Sequence, residues 1–427
     1  MTQHRQRRRA PAPRSWALLV VIAVAAGLSS CGGDDHHDCF NCGGSTPSYT
    51  PYEFSRGLVA ADFNHNGFIS IVQTSTVSAG SQPYPGYLKA YLSTGAGAFA
   101  APVLTADGNN PLYLATADLN GDGLPDVVSA SFDDGALAVF FNNVHAPGTF
   151  DSPLVLPSPG ASQVAIADMN GDGLPDLISA DYNLSLFLQT SPATFASPIA
   201  LYSGGANWVA VGDLNHDGIP DIALTDNVGV KLLMHTGAAG TTTYAAPVAV
   251  FTATANADVI GANLIAIADV NGDGLNDLVI TDPGPAGGAA PTVSVLLQDI
   301  AHPGQFLAAV SYVTAPGSLA QDIVVTDVNG DGRPDIVIGG TAAVSVLLQN
   351  AAAPGTFLAA TNYAVQNANQ IAIADIHDSD LVTGPVDIVI ATGATHPTVN
   401  GVITNGPGVL LQSATAPGTF AALQDLP

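Results

Sequence analysis

This sequence predicts an all-β fold, a seven-bladed β-propeller of four-stranded blades, from three observations. A nine-residue segment rich in Asp, Asn and Gly recurs along the chain. Short apolar and β-branched runs flank each copy, separated by Gly, Pro and Asn turns, and no amphipathic helical window of useful length interrupts them. Only 10% of the 427 residues are charged, and Glu53 is the sole glutamate, which excludes helical bundles and coiled coils. The 45 Gly and 30 Pro fit a turn-rich β protein.

Residues 1–30 read as an export signal. Arg5, Arg7, Arg8, Arg9 and Arg14 precede an apolar run from Trp16 to Leu28. That run is shorter than the ~20 residues a spanning helix needs. Its end, Leu28-Ser29-Ser30-Cys31, resembles the bacterial lipobox. The resemblance implies cleavage before Cys31 and lipidation of its thiol. With Gly32 rather than Asp next, it favours an outer-membrane or cell-surface lipoprotein, exported to the cell envelope. Whether the protein faces the periplasm or the outside stays open.

Residues 31–50 read as a flexible tether carrying the lipidated Cys31. They hold Asp34, Asp35, His36, His37 and Asp38, then Cys39 and Cys42. A disulfide between Cys39 and Cys42 suits an oxidising envelope, and a transition-metal site with the two histidines is the alternative.

Residues 51–427 form one domain of seven repeats. Five loops are nearly identical: Asp118–Asp126, Asp168–Asp176, Asp213–Asp221, Asp269–Asp277 and Asp327–Asp335. A weaker copy starts at Asp62 and a distorted one at Asp375, rejoining the pattern at Asp387. Successive starts are 56, 50, 45, 56, 58 and 48 residues apart. In each repeat an alternating strand enters the loop and a β-branched strand leaves it. A third strand follows, such as Val293–Gln298, and a Pro-Gly turn with an aromatic opens the fourth. Seven blades close a ring and remove long exposed edges. The strand before Asp62 and the last strand after Phe420 are expected to pair within one shared blade.

The loops carry the candidate chemistry. Positions 1, 5 and 9 are carboxylates: Asp118, Asp122 and Asp126; Asp168, Asp172 and Asp176; Asp213, Asp217 and Asp221; Asp269, Asp273 and Asp277; Asp327, Asp331 and Asp335. Position 3 adds an amide oxygen (Asn120, Asn170, Asn215, Asn271, Asn329) and position 7 a backbone carbonyl (Leu124, Leu174, Ile219, Leu275, Arg333). Position 6 is Gly, free to take the positive φ that wraps a chain around a small ion. Hard oxygen donors in this number suit Ca²⁺, and less so Mg²⁺, which keeps its waters. Asp62, Asn64, Asn66, Asp375 and Asp387 make weaker sets at the first and last loops.

These Asp-x-Asn-x-Asp-Gly-x-x-Asp loops, each followed by an Ile/Val/Leu strand, resemble the FG-GAP or VCBS-type repeat, which builds the propeller of integrin α subunits. The resemblance covers about 51–427 and implies calcium as the cofactor, at positions 1, 3, 5, 7 and 9.

Charge limits the partners. Without residues 1–30, four basic residues (Arg56, Lys89, Lys231, Arg333) face 35 acids, a net charge near −31. Nucleic acid is excluded, because nothing neutralises phosphates. An anionic membrane would be held through the lipid on Cys31 rather than by charge. No histidine sits in a recognised catalytic context, so no enzyme is expected. His65 and His216, at the variable fourth loop position, read as exposed turn residues. Tyr84, Tyr87, Tyr182, Tyr202 and Trp208 are candidates for sugar contact, with core packing the blander role. The expected function is a monomeric, calcium-binding adhesion or ligand/glycan-binding module, with calcium mainly structural and the protein or glycan ligand unknown. The alternatives are an assembly lipoprotein of the envelope or a polysaccharide-active lyase or hydrolase.

Overall fold

The computed structural model describes residues 52–78, 84–95, 97–180, 182–252, 264–283, 290–376, 386–392, 406–413 and 415–426. The expected export signal, the expected tether with Cys31, Cys39 and Cys42, and the centre of the last loop, with Asp378 and Asp380, lie outside these residues.

Seven antiparallel sheets follow one another along the chain, each with its strands in chain order from the innermost outward. Blade 1 uses Leu58–Ala61, Ser70–Ser78, Pro85–Tyr91 and Val103–Asn109, with Tyr52–Phe54 also paired to Ser70–Ser78. Blade 2 uses Pro111–Ala117, Asp126–Ser131, Ala136–Phe140 and Leu154–Pro157. The inner strands of blades 3 to 7 are Gln163–Ala167, Trp208–Gly212, Ile265–Ala268, Ala320–Thr326 and Ala368–Ala374. Each inner strand touches the next, and Ala368–Ala374 touches Leu58–Ala61, so the ring closes.

Hydrophobic pattern explains the layering. Second strands such as Asp126–Ser131 and Asp335–Gly340 are buried along their whole length. Outer strands alternate, as in Leu154–Pro157, with one face toward the neighbouring blade and one toward solvent. Position 2 of every loop is apolar and sealed between blades: Phe63, Leu119, Met169, Leu214, Val270, Val328 and Ile376 are all at most 2% exposed. That burial anchors a polar loop to the core.

The expected shared blade does not form. Gln424–Asp425 pairs with Gly408–Leu410 as the outer strand of blade 7, and both strands before Asp62 belong to blade 1. The reason is repeat phase: each repeat starts on an inner strand and ends on an outer one, so every blade is complete from contiguous chain. Closure comes from side chains. Gln370 Oε1 accepts the Leu58 N–H (2.6 Å), and Asn369 Nδ2 donates to the Ser55 carbonyl (2.9 Å). The aromatic after each Pro-Gly turn also differs from expectation. It forms an isolated bridge back to the end of the third strand, such as Asn142 with Phe150 and Gln349 with Phe357, and the outer strand starts a few residues later.

Candidate metal loops on one face of the ring

Each loop joins an inner strand to the second strand of its blade, closing on the same pair: Ala117 with Asp126, Ala167 with Asp176, Gly212 with Asp221, Ala268 with Asp277 and Thr326 with Asp335. Because every blade has the same strand order, all these loops emerge on one face.

The loop centred on Asp118 shows the local logic. Asp118 Oδ1 accepts the N–H groups of Gly121 (2.7 Å) and Asp122 (3.2 Å), and its Oδ2 accepts that of Gly123 (2.8 Å). Asp122 Oδ1 accepts the Leu124 N–H (2.9 Å). The position-6 glycine takes the positive φ foreseen, from 81° at Gly332 to 89° at Gly173. Position 4 is left-handed as well, which the sequence reading missed. Gly121 has φ 77°, and His65 and His216 hold 55° and 63°. Both histidines are exposed, as expected.

Position 9 is different in kind. Asp126, Asp176, Asp221, Asp277 and Asp335 are fully buried. One oxygen of Asp126 accepts the N–H of Leu119 at position 2 (2.9 Å); the other accepts the N–H of Asn142 at the end of the third strand (2.8 Å). The other four repeat both bonds. Burial pushes Asp126 up to about 7, against the pull of those N–H groups, and Asp122 and Asp118 push it further. The same causes raise Asp176, Asp221, Asp277 and Asp335 to about 6. Three carboxylates therefore repel one another in each loop. Within the five loops only Arg333 is basic, and it pairs with Asp331.

The donors fit calcium in kind. An ionised carboxylate offers about four lone-pair sites, and the position-9 group uses two on N–H bonds. Among the described residues no three His, Cys, Asp or Glu side chains converge as a ready cage. The position-1 and position-5 carboxylates are folded onto their own loop's N–H groups instead.

The first loop keeps this shape with a single carboxylate. Asp62 accepts the N–H groups of Asn66 (3.0 Å) and Gly67 (2.8 Å), and Asn66 Oδ1 accepts that of Phe68 (3.0 Å). Ser70 stands at position 9, its Oγ accepting the Ser93 N–H (3.0 Å) and donating to Asn64 Oδ1 (3.3 Å). In the last loop Asp387 accepts the Gln412 N–H (2.9 Å), and Asp375 is buried nearby in sequence at the loop's start.

Five overlapping stretches, residues 76–129, 118–179, 168–224, 213–280 and 269–338, match the FG-GAP-like repeat. Together they span more than half of the chain. The chain belongs to the FG-GAP-like repeat family. The five complete loops all fall inside the matched stretches, and those starting at Asp62 and Asp375 fall outside. Curated proteins show no match to this FG-GAP-like chain. Among solved structures, an Agrocybe aegerita lectin that recognises non-reducing terminal N-acetylglucosamine aligns at TM-score 0.52 and 19% identity, over 73% of this chain and 80% of its own. The V. cholerae biofilm matrix protein Bap1 aligns at TM-score 0.43 and 12% identity, over 86% and 88%. The rhamnogalacturonan lyase YesW aligns at TM-score 0.43 and 12% identity, over 82% and 72%. At these identities the likeness concerns the fold alone.

The aromatic candidates separate. Trp208 is 1% exposed and donates its Nε1–H to the Ile265 carbonyl of the next blade (3.1 Å), a packing role. Tyr84, Tyr87 and Tyr202 are half-buried, and Tyr202 donates to Asp226 (3.0 Å). Tyr182 is 71% exposed. Among the described residues no helix is long and apolar enough to cross a membrane.

Proposed function

We propose that this FG-GAP-like propeller is a calcium-loaded ligand-binding module of the cell envelope, tethered through a lipid on Cys31 and without catalytic turnover. One observation carries the calcium reading. The Asp62 loop holds its shape with Asn66 at position 5 and Ser70 at position 9. Acidic groups at those positions are therefore not needed to fold the loop. The five complete loops nonetheless carry them, at the cost of mutual repulsion and of burying a carboxylate. A bound cation removes that cost. Calcium would supply a charge of +2 to three carboxylates, and this chain's part is to present oxygen donors from a buried, backbone-held frame.

The ligand reading draws on the architecture. A rigid ring whose loops are fixed by cations presents a pre-organised surface, which is what selective binding needs. The Agrocybe aegerita lectin has a similar fold and recognises a terminal sugar. The exposed Tyr182 is the aromatic best placed for a sugar face.

The full chain immobilised in millimolar calcium tests this reading. Glycans and envelope extract are passed over it and eluted with EDTA. A saturable glycan or a defined protein in the eluate is expected. An empty eluate from a protein that still unfolds in EDTA would remove the binding role and leave calcium as structure.

A further inference from the structure

The residue that follows the third strand does two things at once. In blade 2 it is Asn142, in blade 3 Gln189, in blade 6 Gln349 and in blade 7 Gln412. Its backbone N–H binds the position-9 aspartate of its own loop: Asn142 to Asp126, Gln189 to Asp176, Gln349 to Asp335 and Gln412 to Asp387, all within 2.7–2.9 Å. Its side-chain amide crosses to the loop of the preceding blade and binds the position-2 carbonyl. Asn142 reaches Phe63 (2.8 Å), Gln189 reaches Leu119 (2.7 Å), Gln349 reaches Val270 and Gln412 reaches Val328.

The two remaining junctions use other side chains for the same crossing. Between blades 3 and 4, His235 turns to the Thr241 carbonyl, and the Tyr244 hydroxyl points to the Met169 carbonyl at 3.5 Å. Between blades 4 and 5, Asn276 Nδ2 donates to the Asp213 carbonyl (2.9 Å). Every junction from blade 1 to blade 7 is thus bridged on the loop face. At the junction of blades 7 and 1, among the described residues, Ser93 occupies the equivalent place and its Oγ accepts the Gly95 N–H of its own hairpin.

At the four junctions bridged by Asn142, Gln189, Gln349 and Gln412, residue 2 is the shared element. Its N–H holds the position-9 aspartate of its own loop, as Val270 holds Asp277 (3.0 Å), and its carbonyl receives the next blade's amide. Its side chain is locked between blades, so it moves only with them. We propose that these crossing side chains join the loops of blades 1 to 7 into one belt, in which cation binding at one loop is coupled to its neighbours. This rests on the calcium reading above. Coupling of this kind is reciprocal: each loop tightens the one before it and the one after it. Gln349 is a positioning residue in this scheme and touches no cation itself.

The test uses the full chain and calcium alone, titrated by calorimetry after EDTA treatment. In Gln349→Met the volume is conserved, the amide's bonds to the Val270 carbonyl and to the Pro334 carbonyl of its own loop are lost, and the N–H to Asp335 stays. Gln189, whose amide donates to Leu119 of the preceding blade, tests the crossing bond by itself. The expected result is unchanged stoichiometry, a lower Hill coefficient, and about fivefold weaker binding at the loops of blades 5 and 6, the worth of one net hydrogen bond. Gln189→Met gives a second junction if Gln349→Met does not fold. Trp208→Phe is the structural control: it removes an interblade bond away from the loops, so it lowers the melting temperature and leaves the isotherm alone. An isotherm for Gln349→Met that superposes on the wild type, or an equal change in Trp208→Phe, would overturn the coupling. A wild type that takes up no calcium would overturn the calcium reading itself, and the coupling with it.

Discussion

Two kinds of buried aspartate occur in this molecule, and their surroundings separate their roles. The position-9 aspartates each receive two backbone N–H groups and stand among other loop carboxylates. Asp107 stands elsewhere, on the outer strand of blade 1 against Ser129 and Ser131 of blade 2, and is 0% exposed. Burial raises it to about 7; the two hydroxyls pull it down and Asp134 pushes it up. The serine hydroxyls face the carboxyl without reaching hydrogen-bond geometry, so they offset its burial only in part. The unfolded chain releases this proton near the ordinary 3.8, and the folded protein keeps it to about 7. Stability from Asp107 is therefore full below the unfolded value and is lost as pH rises through about 7. Asp107→Asn should match the wild type in thermal melts at pH 4 and exceed it at pH 8, by on the order of 4 kcal/mol, the shift of about three pH units at about 1.4 kcal/mol each. A difference that does not vary with pH would contradict this assignment.

At the scale of the element, the Pro-Gly turns act as interblade contacts as much as chain reversals. Gly148 has φ 89°, its N–H donates to Asn142 Oδ1 (2.8 Å), and a Cβ there would lie 2.6 Å from the Leu92 side chain of blade 1. Both the backbone conformation and the close approach demand glycine. Gly148→Ala should lower stability by about 1–3 kcal/mol in urea unfolding, from strain and overpacking together, with calcium stoichiometry unchanged. A neutral effect would mean that the turn has room to shift. The aromatics beside three of these turns, Phe150, Phe357 and Phe420, extend the same contact to a ring of the preceding blade: Tyr363 of blade 6 and Phe420 of blade 7 meet edge to face at 5.6 Å, and the Tyr363 hydroxyl accepts the Phe420 N–H (3.1 Å).

For the whole molecule, charge and closure set the behaviour. Four basic residues against 35 acids give residues 31–427 a net charge near −31, which repels itself. The ring also lacks a blade shared by its two ends, so blades 7 and 1 are joined by side chains such as Gln370 and Asn369 rather than by a strand. Under the calcium reading, free calcium at ten times its dissociation constant would add about 1.4 kcal/mol per site, or roughly 7 kcal/mol over five independent sites. EDTA should then lower the melting temperature by on the order of 10 °C. A melt unchanged by EDTA would leave the loop carboxylates without the partner proposed for them.

Blade number, strand order and loop position were legible in the sequence because all three are local. A strand's alternation, a turn's glycine and the Asp spacing are each complete within about a dozen residues, and repetition multiplies the signal. The Asp and Asn positions of each loop could be read for the same reason, while what they hold is the proposal above. The phase of the ring was not, because an inner strand and an outer strand at the chain ends suit either a shared blade or two complete ones. Only the packing of Leu58–Ala61 against Ala368–Ala374 decided it. The crossing amides were hidden as well. Gln298 and Gln349 end the same Val-Ser-Val-Leu-Leu-Gln run, yet Gln349 crosses to Val270 while Gln298 binds the Asn276 carbonyl of its own loop, so the run alone does not tell a bridge from a local bond. Asn142 and Phe63 are 79 residues apart, as are Gln349 and Val270. A hydrogen bond over that separation depends on how two finished blades sit side by side, and no local pattern of residues carries that distance.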